Sequence, residues 1–374
     1  MWRYLSRHDY VRLNPTGDSR KCSWAPSPKL IRLLILAIST VLLLGFVAKT
    51  QDFKAVTSSK QEDKKKTEVK YKRPEYLPAK VDKKKEKYAY CAFLSKTLPT
   101  GDEKWDTEDY FVAMRTLVWQ LKHDPETKAD PDIDVVIMVG PGVSAGHQQR
   151  LRKDGAIVKP VELVHGQNDS WITPQTSRWA DVMTKLRAWE MEEYSKVLIL
   201  DGDILLAKPL DGVFTDPGAQ LMETKPKGHK DDEPELPKDY LLSAIIDYNP
   251  NVPHNWPPTD AGRRRGHFNA GFFMLRPDKK LFNYFVGLLD VVDRFNPKFP
   301  EQNMLNYAFR WDGPMPFKEV SAVWNTNFAN EDDLKAGTAS VHMKFWKVDD
   351  KPMLKFAMSK RWQMEGYYLG RGDA

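Results

Sequence analysis

Four consecutive large aliphatic residues, Val197-Leu198-Ile199-Leu200, leave this chain few options. A strand with one solvated face alternates apolar and polar residues, so a strand with no polar residue must lie in a sheet covered on both sides. Such sheets are built mainly from parallel strands joined by helices. The preceding sequence supplies the partners. Residues 88–94 (YAYCAFL) read as a strand, 110–122 (YFVAMRTLVWQLK) have helical apolar spacing, and 133–139 (IDVVIMV) form a β-branched run that stops at Gly140-Pro141. A polar helix is expected near 144–153, a short strand over 156–164 and a helix over 179–194. The fold class is therefore α/β, with a mainly parallel sheet whose ligands bind beyond the carboxyl ends of the strands. At that end of the 197–200 strand stand Asp201-Gly202-Asp203. Two carboxylates flanking a residue without a side chain can turn toward one cation, and hard oxygen donors suit Mn2+ or Mg2+. Taken alone, such a pair is equally a solvated turn.

The chain has 374 residues, 41% hydrophobic and 29% charged, enough apolar material for one large domain with appendages. Its formal charge of +6 is unevenly spread. Residues 1–48 hold 7 Lys/Arg against 2 Asp/Glu, residues 49–87 hold 14 against 7, and residues 88–374 hold 36 against 42. The main domain is thus acidic, which argues against a nucleic-acid partner. Two cysteines, Cys22 and Cys91, are too few for a disulfide-stapled module. Residues 33–48 (LLILAISTVLLLGFVA) carry no charge, and Leu30, Ile31 and a snorkelling Arg32 lengthen the apolar stretch to 19 residues. At ~1.5 Å per residue that spans a thin bilayer. A cleaved signal peptide fits less well, because the leader is long and no small-x-small site follows. The expected organisation is a cytoplasmic tail (1–29), a transmembrane anchor (30–48), a flexible basic stem (49–87) and the main domain (88–374). Basic residues lie on both sides of the anchor, so charge leaves its orientation open. The sequon Asn168-Asp169-Ser170, if used, makes it type II.

Several blocks of the main domain resemble one known family. Met183-Thr184-Lys185-Leu186-Arg187-Ala188-Trp189, residues 194–203 (YSKVLILDGD), Pro209-Leu210-Asp211-Gly212-Val213-Phe214, residues 268–277 (FNAGFFMLRP) and residues 299–307 (FPEQNMLNY) are similar, in content and order, to the glycogenin-like glycosyltransferase family 8. The subgroup looks fungal and membrane-anchored. The resemblance covers residues 88 to about 350. It implies a GT-A fold, in which a Rossmann-like sheet binds a nucleotide-sugar, usually UDP-linked. It also implies Mn2+ between the acidic pair and the diphosphate, and retention of configuration at the anomeric carbon.

The resemblance carries roles onto individual residues. Asp201 and Asp203 become metal ligands, joined by His342 in the segment 341–347 (VHMKFWK). Lys185 reaches donor phosphate or sugar oxygens, assisted by Arg178, and Asn269 and Gly271 meet the donor sugar. Gln302 lies under the anomeric carbon, and Glu301 before it is the second catalytic candidate, with capping of the following helix as its alternative role. The family continues from its histidine through a glycine to Lys-Pro-Trp. That pattern is missing here, and spacing favours Lys347 over Lys344 as the phosphate ligand. Asn303 stands where some relatives carry an acid, which argues against a nucleophile there. The opening strand should offer backbone to the uracil, with Tyr90, Ala92 and Leu94 on one face. The polar segment 215–266 reads as an insertion above the donor site that selects the acceptor. The expected protein is a type II Golgi-membrane transferase, moving GlcNAc, Glc or Gal from a UDP-sugar to a glycan or glycoprotein acceptor in the secretory lumen. The alternative is a catalytically silent, membrane-tethered glycan-binding or scaffold protein of the same fold.

Overall fold

The computed structural model describes residues 86–97, 108–248 and 263–372. The expected tail and anchor, and the stem up to residue 85, lie outside the described residues. Among the described residues no helix is long and apolar enough to cross a membrane.

β1 (Tyr88–Lys96), α1 (Asp109–Lys122), β2 (Asp134–Gly142), α2 (Ala145–Lys153) and β3 (Ile157–Pro160) follow in the order that the periodicity predicts. β4 (Lys196–Leu200) and β5 (Ile204–Leu206) flank the Asp-Gly-Asp segment. A small pair, β6 (Met222–Glu223) with β7 (Asp239–Tyr240), precedes β8 (Leu242–Tyr248) and β9 (Arg263–Leu275). The chain continues through α3 (Lys279–Leu289), α4 (Pro300–Ala308), β10 (Lys318–Glu319), β11 (Thr326–Asn327), α5 (Glu331–Ala336) and β12 (Ser340–His342) to α6 (Lys351–Gly370).

The central sheet runs β10-β8-β9-β4-β1-β2-β3. β3, β2, β1 and β4 pair in parallel, as do β8 and β10, while β9 is antiparallel to both β4 and β8. β1 has β2 on one side and β4 on the other, so the order of connection reverses between them. A crevice opens at such a switch point, outside the carboxyl ends of the strands. β4 lies inside the sheet with both faces covered. Val197 and Ile199 join the core of one face with Trp189, Phe273 and Phe285; Leu198 and Leu200 join the other with Met114, Phe214 and Phe272. All four are at most 1% exposed. Each such side chain contributes roughly 1.5–3 kcal/mol of transfer free energy.

Some local expectations change. The helix expected over 179–194 is two 3-10 stretches, Ser177–Trp179 and Val182–Glu190. The second packs against β1, α3 and α4 and buries six of its residues. The strand expected over 156–164 contracts to Ile157–Pro160. The 215–266 segment is not wholly an insertion, because Leu242–Tyr248 is buried along its length and forms β8 in the central sheet. Prolines and charges on either side mask this strand in the sequence.

Candidate metal centre

Asp201 leaves β4 at its carboxyl end, and its N–H donates to the Gly271 carbonyl of β9 at 2.8 Å. Asp203 precedes β5, whose three residues are buried. Gln120 of α1 holds β5 by a pair of bonds to Leu206, 2.7 and 3.0 Å. β12 runs antiparallel to β5 with His342 opposite Ile204, and the Met343 N–H donates to the Asp203 carbonyl at 3.0 Å. This small sheet brings a distant histidine to the acidic pair. His342 Nε2 lies 2.9 Å from Asp203 Oδ1 and 3.6 Å from Asp201 Oδ2. One ligand atom from each of Asp201, Asp203 and His342 lies within 4.8 Å of the other two. Two carboxylates and an imidazole form a donor set that fits Mn2+ or Mg2+.

Space explains the glycine at position 271. A Cβ on Gly271 would stand 2.4 Å from His342 Cε1 and 2.8 Å from Asp201 Oδ2. Its missing side chain therefore makes room for the triad itself. Gly202 does not use a left-handed backbone, and a Cβ there would press on the Met114 methyl at 2.8 Å. The conformational freedom expected of Gly202 is thus not what the turn needs.

Lys185 stands behind the triad. Its Nζ lies 2.6 Å from Asp201 Oδ1 and 3.0 Å from Glu301 Oε1, and it donates to the Ala270 carbonyl at 3.4 Å. Burial disfavours the ammonium, but the two carboxylates outweigh it and push the lysine's pKa up. Burial pushes the Glu301 carboxyl up to about 7, against the pull of Lys185 and with the charge of Asp201 adding to the rise. Glu301 thus turns to Lys185, and the amino end of α4 has no side-chain cap. Burial would also raise Asp203, yet His342 and Lys344 hold it well below the usual carboxylate range. His342 is pushed up by Asp203 and Asp201 in spite of its own burial.

The remaining expected donor-site residues are placed as follows. Asn269 Oδ1 accepts from the Gly271 N–H at 2.9 Å, and Gln302 Oε1 accepts from the Ala270 N–H at 3.1 Å. One helical turn after Gln302, Asn306 brackets Phe268, accepting from its N–H at 2.8 Å and donating to its carbonyl at 2.9 Å. α4 therefore pins the backbone of β9 beside the triad. Arg178 is exposed, donating to the Tyr110 hydroxyl at 3.0 Å and lying 5.3 Å over the Trp179 ring. Tyr110 in turn meets Trp346 edge-on at 4.8 Å. Lys347 is exposed at the end of the turn Phe345–Lys347. It is Lys344 whose Nζ reaches Asp203 Oδ2, at 2.7 Å. The signal for it was strand alternation, since residues two apart in extended chain leave the same side. Asn303 donates to the Asn296 carbonyl at 2.8 Å. The Tyr90, Ala92 and Leu94 face of β1 packs into the core against Phe111 and Met114, so that face is closed to a base.

A mainly parallel α/β sheet with an Asp-Asp-His group that could hold a cation beside its switch point has the GT-A-like arrangement of metal-dependent nucleotide-sugar transferases. The model of "Glycosyl transferase family 8" matches residues 107–348. The chain belongs to glycosyl transferase family 8. An uncharacterized protein of Schizosaccharomyces pombe is 30% identical over 297 residues, covering 71% of this chain and 73% of the relative. Galactinol synthase 3 of Arabidopsis thaliana is 27% identical over 227 residues, covering 60% and 61%. The solved structure of mouse xyloside xylosyltransferase 1 in its apo form aligns at 11% identity over 68% of this chain and 97% of that one. Its TM-score of 0.42 is too low for any detail to carry over.

Proposed function

We propose that this chain is a retaining glycosyltransferase that moves a sugar from a UDP-sugar to a glycan or glycoprotein acceptor. It works in the secretory lumen, held in the Golgi membrane by a type II anchor at residues 30–48. The observation that carries the reading is the convergence of Asp201, Asp203 and His342, with Lys185 behind them, in a family 8 chain. Asp201, Asp203 and His342 would hold Mn2+ or Mg2+, which would supply positive charge for a departing diphosphate. The chain's own part is preorganisation. Lys185 fixes one oxygen of Asp201, the low pKa of Asp203 keeps it ionised, and Gln302 with Asn306 holds the 268–270 backbone in place.

Galactose, glucose and N-acetylglucosamine are the donor sugars to test. The full chain, solubilised in detergent, is incubated with Mn2+ and each UDP-sugar, with and without mixed glycan acceptors. The expected result is UDP release from one donor, faster with an acceptor, and abolished by EDTA and by Asp203→Asn. A protein that binds Mn2+ and UDP but turns over no donor favours the silent scaffold. Asn168 is exposed, its N–H held by Asp290 Oδ1 at 2.7 Å. A mobility shift on enzymatic deglycosylation, lost in Asn168→Gln, checks the lumenal orientation.

A further inference from the structure

Both oxygens of Asp203 have partners: His342 Nε2 at 2.9 Å on Oδ1, and Lys344 Nζ at 2.7 Å on Oδ2. Asp201 carries Lys185 at 2.6 Å on Oδ1. The two lysines sit differently. The Lys185 side chain is 11% exposed and wedged between Asp201 and Glu301, whereas that of Lys344 is 31% exposed and pairs with Asp203 alone among the described residues. Lys344 also stands where extended backbone enters a short turn, with φ −83° and ψ 92°, and its side chain is the more solvent-exposed of the two.

We propose that Lys344 is an exchangeable counter-ion of the metal centre. It neutralises one oxygen of Asp203 while no divalent cation is bound, yields that oxygen when one is, and then turns to the diphosphate of the donor. The inference rests on the reading of this site as a metal and UDP-sugar centre. An ammonium and a dication on one buried carboxylate repel each other strongly at low local dielectric, and the more mobile of the two leaves. Lys185 and Lys344 already pair with the acids of this cluster, so a dication adds positive charge there that a diphosphate complements. A compact ammonium on a four-carbon stem follows such a change in a way a fork-shaped guanidinium does not. The phosphate-facing role thereby moves from Lys347, which spacing favours, to Lys344.

The test is calorimetric titration of the full detergent-solubilised chain with MnCl2 alone, then with UDP and with uridine in saturating Mn2+. Wild type, Lys344→Ala and Lys347→Ala are compared. The proposal expects Lys344→Ala to bind Mn2+ alone about three- to tenfold more tightly, and UDP about tenfold more weakly, a tenfold change being about 1.4 kcal/mol. Uridine binding should stay level, since it lacks the diphosphate. A packing defect would weaken Mn2+ and UDP together, and that outcome overturns the proposal. Unchanged binding in Lys344→Ala overturns it as well, and so does a loss of UDP affinity confined to Lys347→Ala. Wild-type protein that binds neither Mn2+ nor UDP overturns the reading of the site itself, and the exchange with it.

Discussion

Asp154, under helix α6, and Asp203, in the candidate metal centre, are both deeply buried and both held by basic side chains. Asp154 takes Arg115 through Nε at 2.7 Å and Nη2 at 3.2 Å, and Arg150 through Nε at 2.9 Å. Tyr368 of α6 closes the cluster: the two guanidinium groups lie 5.0 and 4.7 Å over its ring, and its hydroxyl donates to the Asp154 carbonyl at 3.3 Å. One carboxylate saturated by two rigid forks and an aromatic cap leaves nothing for a ligand to bind. Around Asp203 the balance is inverted. Carboxylates outnumber lysines, a glycine replaces a side chain, and Asp201 is 28% exposed. Burial is common to both clusters. An unsaturated set of acids with an open side separates a binding site from a structural knot.

That contrast can be broken by experiment. Asp154→Ala leaves Arg115 and Arg150 buried without their acid, and should cost about 3–5 kcal/mol in denaturant unfolding. Turnover per folded molecule should survive. Asp203→Asn should do the reverse, lowering transfer by about a hundredfold or more while the unfolding midpoint moves little. If Asp203→Asn unfolds the chain and Asp154→Ala does not, the two clusters have been assigned the wrong way round. Gly271→Ala pushes a methyl into His342 and Asp201, and should weaken Mn2+ binding by about tenfold, read by calorimetry.

Glu301 gives a test with a definite sign. Its carboxyl is raised from the ordinary range to about 7, so the folded chain holds a proton there that the unfolded chain has released. Between about pH 4.5 and 7 this group makes stability fall as pH rises. Melting curves should therefore show Glu301→Gln gaining on wild type from pH 5 to 8, and a difference that stays flat over that range would show that Lys185 keeps Glu301 ionised throughout. The smallest effect concerns Cys91. Burial pushes its thiol to about 12, and the side chain is 1% exposed. Iodoacetamide at pH 8 should leave it unmodified in the native chain, by mass spectrometry, and alkylate it only after unfolding.

Much of the fold is legible in residue order. Val197–Leu200 announces a doubly covered strand, and the apolar spacing of 110–122 announces α1, because both signals are local and repeat along the chain. β8 is hidden, since seven buried residues between prolines and charges have no period to distinguish them. The α6 helix goes unread because its buried residues, Met353, Ala357, Lys360, Met364 and Tyr368, include a lysine that Asp124 and Glu126 neutralise. In the site, Asp201, Asp203, His342 and Lys185 are named by motif, but the motif does not show what each touches.

What this sequence determined by itself was the α/β class, the place of the acidic pair at a strand's carboxyl end, and membership of glycosyl transferase family 8. Only the tertiary structure decided that Lys185 sits between Asp201 and Glu301, that Gly271 clears space for His342, and that Lys344 rather than Lys347 meets Asp203. The physical reason is range. Hydrophobic period acts over a few residues and survives in the sequence, whereas the ion pair of Lys344 with Asp203 joins side chains 141 residues apart and depends on how β5 and β12 are brought together.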